Sequence, residues 1–226
     1  MDFIKELESL NITLSDKQIE QFKRYFELLV EYNKVMNLTG ITDYDGVHLK
    51  HFYDSLTLVK AYDFTNNINL CDVGSGAGFP SIPLKIAFPN INVVIIDALK
   101  KRLEFLNVVV KELGLENVKL VHARAEEANY REEFDVVTSR ALADINIGLE
   151  LCMPLVKVNG YYLPMVVSYD LGKNTIKELG GLLEEEIKFN LPIENSERKI
   201  LKIKKKEKTP NKYPRSFSKI KKSPLR

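Results

Sequence analysis

Leu70-Cys71-Asp72-Val73-Gly74-Ser75-Gly76-Ala77-Gly78-Phe79-Pro80 is the stretch on which the fold turns. Apolar Ile68, Leu70 and Val73 end in an acid and a glycine-rich turn. Behind Pro80 an apolar helical pattern begins at Ile82, Leu84 and Ile86. That order predicts a buried strand passing through a tight turn into a helix. Glycines at alternate positions carry no Cβ, so a ligand can lie against the backbone. The spacing is G-x-G-x-G, not the G-x-G-x-x-G of nicotinamide and flavin enzymes. Asp72 precedes the first glycine, where a carboxylate repels a diphosphate and attracts an ammonium group. S-adenosylmethionine carries an amino group and a sulfonium and no phosphate, so it is the cofactor to expect. An ordinary glycine turn of an α/β protein is the plain alternative; Asp97, behind the turn as Asp72 is in front, weighs against it.

Working outward, strands are predicted at 68–73, 91–97, 118–122, 134–139 and 161–167, with helices at 80–87, 100–113, 145–153 and 171–179. Alternation of this kind, with near-continuous apolar strands, predicts a parallel sheet covered on both faces. Two late strands, 185–191 and 198–204, are separated only by Pro192-Ile193-Glu194-Asn195-Ser196 and should form an antiparallel hairpin at one edge. The expected fold class is α/β, a Rossmann-like class I methyltransferase domain over 61–206. A helical N-terminal cap covers 1–60 and a basic C-terminal extension covers 207–226. In the cap, Ser15 and Gln18 form a capping box for a helix whose apolar stripe is Ile19, Phe22, Phe26, Leu29 and Met36. A second helix carries His48, His51, Asp54 and Ser55. No further His or Cys cluster completes a metal site, so these read as hydrogen-bonded structural or substrate-facing groups and no metal is expected.

The chain of 226 residues, 45% of them apolar, can bury one sizeable core. Two cysteines in apolar surroundings, Cys71 and Cys152, make no disulfide framework and fit a reducing cytoplasm. The start, Met1-Asp2-Phe3-Ile4-Lys5-Glu6, is acidic and amphipathic, unlike a signal peptide, and no run reaches the roughly 18 apolar residues of a membrane span. Net charge of +2 hides an asymmetry: residues 198–226 hold thirteen Lys or Arg against Glu207 alone, leaving 20 basic and 30 acidic groups in residues 1–197. Such a block is a solvated tail or an arm that touches phosphates. Tyr213 and the prolines of Thr209-Pro210-Asn211-Lys212-Tyr213-Pro214-Arg215 favour the arm: Tyr213 to stack on a base, Lys212 and Arg215 to grip phosphate. Lys202, Lys204 and Lys206 alternate and should share one strand face.

In an open parallel sheet the ligand lies beyond the carboxyl ends of the strands. Beyond the first lie Asp72, Gly74, Gly76, Gly78 and Phe79. Asp97 closes the second, placed to accept from both ribose hydroxyls. Ala125 and Glu126 follow the third, suited to an adenine edge, and the fourth ends in Thr138-Ser139-Arg140. That last segment lacks the Asn/Asp-Pro-Pro-aromatic loop used on exocyclic base amines, and neither cysteine reads as the nucleophile that methylation at a base carbon needs. A ring nitrogen with a free lone pair, such as guanine N7, remains; its methylation needs positioning more than a base.

The chain resembles the RsmG (GidB) family of small-subunit ribosomal RNA guanine-N7 methyltransferases over nearly its whole length. The motifs are Asn37-Leu38-Thr39, His51-x-x-Asp54-Ser55, Asp72 through Leu84, Lys101-Arg102, Arg124-Ala125-Glu126, Ser139-Arg140-Ala141 and Thr209-Pro210-x-Lys212-Tyr213-Pro214-Arg215. The resemblance implies S-adenosylmethionine as donor, S-adenosylhomocysteine as product and a guanine in the decoding-region loop of 16S rRNA as target. It also implies Gly74, Phe79, Ala125, Glu126 and Arg140 as cofactor positions. Arg140 and Asp54 are the catalytic candidates near the target base. The expected partner is 16S rRNA or the 30S subunit, with no membrane, and the protein a cytoplasmic monomer. Rival readings are the same chemistry on a small molecule or protein, and a non-catalytic ribosome-assembly factor that retains the pocket. Ser81, Ser218 and Ile220 depart from the family's usual Gly, Gly and Pro.

Overall fold

A strand that is apolar at successive positions must be covered on both faces, and Leu70, Cys71, Asp72 and Val73 of β1 (Asn69–Val73) are all buried. The computed structural model describes residues 2–142 and 144–226, so Met1 of the acidic start and Ala143 lie outside the described residues. Three helical segments come first: α1 (Phe3–Leu7), α2 (Asp16–Met36), and a run comprising α3 (Tyr44–Val47), a π turn (His48–Tyr53), α4 (Asp54–Leu56) and a 3-10 turn (Thr57–Lys60). After β1 come α5 (Ser81–Ala87), β2 (Asn92–Asp97), α6 (Lys100–Glu112), β3 (Val118–His122), β4 (Phe134–Arg140), α7 (Ile145–Cys152), β5 (Val156–Val166), α8 (Thr175–Glu178), β6 (Gly181–Asn190), β7 (Glu197–Lys205) and α9 (Phe217–Lys222).

The seven strands lie in the order β3-β2-β1-β4-β5-β7-β6. The first five pair in parallel; β7 runs antiparallel to both β5 and β6, placing the hairpin at the sheet's edge as its helix-free connection required. Strand periodicity sorts the core into two clusters. Leu70, Ile95 and Val136 point to the side of α2, α5 and α6, whereas Cys71, Ile96 and Val137 point to the side of α7 and α9.

The first sixty residues share the first of these cores, since Phe3, Phe22, Leu29, Phe52 and Leu58 are buried in it with Leu70 and Ile95. The Ser15–Gln18 capping box is formed, and the same Gln18 amide donates to Ile86 O and Ala87 O (2.7 and 3.0 Å), capping the end of α5. Gln21 does likewise for Leu113 O beyond α6 (2.7 Å). The buried side of α2 is centred on Phe22, Tyr25, Leu28 and Leu29, with Ile19, Phe26 and Met36 at its margin.

Two expectations are corrected. The helix at 171–179 is only the single turn of α8, because Asn146 binds Asp170 O (2.8 Å) and Gly172 N (2.9 Å) and holds that chain out of a helix. The tail is not a free arm. Tyr213 and Ile220 are buried, and Arg215 makes a two-pronged ion pair with the wholly buried Glu150 of α7 (Nε–Oε1 2.8 Å, Nη2–Oε2 2.6 Å). Lys205, also wholly buried, donates to Met153 O and to Thr209 Oγ1 (both 2.6 Å) and fastens the start of the tail.

Removing one partner of a buried ion pair costs about 3–5 kcal/mol, since the other charge stays behind. Arg215→Ala is therefore expected to lower the unfolding free energy in urea by about that amount, with Lys221→Ala within roughly 0.5 kcal/mol of wild type. Equal stability of the two variants would mean that the tail is not anchored.

Candidate functional site

The glycine turn is held by its neighbours before any ligand is considered. Gly74, at φ +73°, donates to Ile96 O (2.8 Å), and Tyr25 OH donates to Ala77 O (2.5 Å). The three glycines serve different ends. A Cβ on Gly78 would meet Ile82, Tyr25 and Leu106 within 2.8 Å, so that position faces the core, not a ligand. A Cβ on Gly74 would meet Leu142 at 2.5 Å, whereas beside Gly76 the space is open.

Beyond β1, β2 and β3 lies a cleft of about 180 Å³ lined by Gly74, Asp97, Ala125, Glu126, Leu142 and Phe217. Asp97, only 3% exposed, accepts from Gly76 N (3.2 Å) and Leu99 N (2.8 Å) and faces Arg102 at 3.4 Å. Asp72 stands apart, wholly buried under the turn. Its Oδ2 accepts from Ser81 N (3.2 Å), while Oδ1, like Ser75 Oγ, has no partner. Burial pushes the Asp72 carboxyl up to about 7, against the pull of Ser81 and Arg140.

A second cavity, about 450 Å³, opens beyond β4 and β5. His51, Asp54, Arg140, Pro164 and Arg198 line it, and Leu142 is common to it and the first cleft. Arg140 donates to Lys50 O (3.0 Å) and Asp54 Oδ2 (3.2 Å), contacts His51 Nδ1 (3.3 Å), and lies 4.9 Å from the centre of the Phe79 ring. Arg198 approaches Asp54 Oδ1 at 3.6 Å. Burial raises the Asp54 carboxyl, and Arg140 and then Arg198 oppose it. Burial and the Arg140 charge lower His51 to about 4, so the imidazole is neutral near neutral pH. Its Nε2 is bonded to Thr39 Oγ1 (2.8 Å), which accounts for Thr39 in the Asn37-Leu38-Thr39 motif. His48 instead packs on Tyr44, Phe52 and Phe3 and bonds Tyr44 O (2.8 Å).

The residues expected from the sequence thus fall into two adjoining groups. Gly74, Asp97, Ala125 and Glu126 line the first cleft; Arg140 and Asp54 meet at the second, with Phe79 beneath Arg140. Of the three residues expected to reach RNA, Tyr213 is buried with its hydroxyl on Glu178, and Arg215 is committed to Glu150. Lys212 stays on the surface, 3.3 Å from Glu178. Cys71 and Cys152 are buried, and burial raises both thiols, Cys152 to about 12, so neither is a nucleophile. Leu142, Arg198 and Phe217 were not expected. Among the described residues no group of three or more His, Cys, Asp and Glu could hold a metal ion, and no helix is long and apolar enough to cross a membrane.

The family model described as rRNA small subunit methyltransferase G matches residues 18–178. The chain belongs to that family. It is 49% identical to the ribosomal RNA small subunit methyltransferase G of Lysinibacillus sphaericus, over 99% of this chain and 98% of the relative. To the protein of the same name from Bacillus cytotoxicus it is 52% identical, over 90% and 89%. In fold it is similar to a SAM-dependent methyltransferase from Aquifex aeolicus (TM-score 0.57, 16% identity, 74% of this chain and 96% of that one). It is also similar to M. jannaschii TYW2, solved in complex with AdoMet (TM-score 0.51, 18% identity, 62% and 69%). Class I methyltransferase architecture is thereby established.

The Asp72 carboxyl, raised from 3.8 to about 7, gives stability that is complete below about pH 4 and lost as pH rises through about 7. Asp72→Asn keeps an acceptor for Ser81 N and removes the ionisation. Its ligand-free thermal midpoint should exceed wild type by a few degrees near pH 8 and match it near pH 4. A difference that does not depend on pH would contradict a buried, protonating carboxyl.

Proposed function

We propose that this protein transfers a methyl group from S-adenosylmethionine to N7 of a guanine in 16S ribosomal RNA, in the decoding-region loop, and releases S-adenosylhomocysteine. The observation that carries the reading is the pair of cavities at the carboxyl ends of the strands, which share Leu142 as a wall. One is lined by acids and a glycine turn, the other by a guanidinium–carboxylate cluster large enough for a base.

The donor-site residues suit this cofactor. Asp97 lines the first cleft beside Gly74, and its carboxylate suits a pair of vicinal hydroxyls. When bound, S-adenosylmethionine supplies an electrophilic methyl carbon; transfer to N7 breaks the C–S bond, leaves a neutral thioether and moves the positive charge to the purine. No proton leaves N7, so no general base is needed, in keeping with a neutral His51 of low basicity. Arg140 and Asp54 orient: their ion pair fixes the wall of the second cavity, and the centre of the Phe79 ring lies 4.9 Å from the guanidinium. Asp54, 4% exposed between Arg140 and Arg198, is rigid before the base arrives. Exposed Lys206, Lys208, Lys212, Lys219, Lys221 and Lys222 are left to neutralise phosphates, a salt-dependent contribution. In this reading the protein acts as a cytoplasmic monomer on 16S rRNA or the 30S subunit.

The test is transfer of labelled methyl from S-adenosylmethionine to RNA and 30S subunits from cells lacking this activity, followed by nucleoside analysis. Label in 7-methylguanosine of 16S rRNA is expected; label in another nucleoside, or none, would overturn the reading. Arg140→Lys keeps the charge but loses the fork, and should lower kcat/KM roughly 10- to 100-fold with folding intact.

A further inference from the structure

Phe217 is the first residue of α9, in a tail whose basic charge, Tyr213 and prolines point to RNA in the sequence, yet it lines the cleft that holds Asp97, Ala125 and Glu126. It also lines a surface cavity of about 640 Å³, together with Arg124 and Glu126. The Arg124 guanidinium lies 5.2 Å from the centre of the Phe217 ring, a cation–π contact. Behind it the tail is anchored three ways: Arg215 on buried Glu150, Arg215 Nη2 on Ser223 O at the far end of α9 (3.0 Å), and Ile220 wholly buried. An aromatic ring placed beside the segment suited to an adenine edge offers a stacking surface.

We propose that Phe217 forms the aromatic wall of the adenine subsite, so that the C-terminal tail completes the cofactor pocket. This rests on the methyl-donor reading above. At about 180 Å³ the cleft is below the roughly 300 Å³ at which ligand pockets begin, and it adjoins the larger cavity at Arg124, Glu126 and Phe217, which line both. A purine in the cleft would stack on the Phe217 ring in place of the Arg124 guanidinium that now lies against it. Tail docking and cofactor binding then strengthen each other by the same factor.

Stacking of a base on an aromatic side chain is lost on alanine substitution with a weakening of roughly 5- to 150-fold. Calorimetric titration with S-adenosylhomocysteine of wild type, Phe217→Ala, Phe217→Leu and Phe217→Tyr tests it, with thermal melts to verify folding. Alanine and leucine should weaken binding by that factor, tyrosine should bind within about twofold of wild type, and affinity for 16S rRNA should be unchanged in all. Leucine at wild-type affinity would overturn the stacking role, as it keeps the bulk and removes the π face. A loss confined to RNA affinity would return the tail to an RNA arm. Wild type that fails to bind S-adenosylhomocysteine would overturn the donor reading itself, and this inference with it.

Discussion

The guanidinium of Arg140 reaches from the end of β4 into the N-terminal helices, where Lys50 O, Asp54 and His51 receive it, and it lies over the ring of Phe79 from the glycine turn. It joins three segments that lie far apart in sequence, and with Arg198 from the hairpin it encloses a buried carboxylate. A buried charge is costly unless its partners are in place, so the position of the helices over the sheet is specified by charge as well as by apolar packing. The second cavity has its shape because this cluster does.

The same physics governs the chain's end. Glu150 interrupts the apolar helix α7 and is wholly buried, and Arg215 supplies its counter-charge. Lys205 lies on the buried face of β7 with Leu201 and Ile203, and its ammonium is satisfied by carbonyls and Thr209. Burial lowers it to about 8 against the attraction of Glu132. Part of the basic block therefore serves as structural fastening, and deletion of 207–226 would uncover core rather than remove an arm.

Much of this was legible because strands and turns are encoded locally. Alternating strand and helix patterns and the glycine spacing specified the sheet, and strand ends collected Asp97, Ala125, Glu126 and Arg140 near one edge. What was not legible depends on long-range partners. Periodicity does not show that Asp54 is shared with Arg198, that Leu142 fills the space a Cβ on Gly74 would need, or that Tyr213 turns inward to Glu178. Glu150 was the available signal: a carboxylate within an apolar helix demands a cation, and a basic tail is where one is found. The departures at Ser218 and Ile220 also make sense in place, since α9 is helical there and Ile220 is wholly buried.

The most direct measurement is a crystal structure of the protein with S-adenosylhomocysteine. The expected result is ligand density along Gly74, Asp97 and Ala125, with the purine against Phe217, the amino-acid end toward the Arg140 side, and the cavity lined by Asp54 and Arg198 left free for a base. Density filling that second cavity instead, or lying away from the strand ends, would contradict the two-cavity arrangement on which the proposed reaction rests.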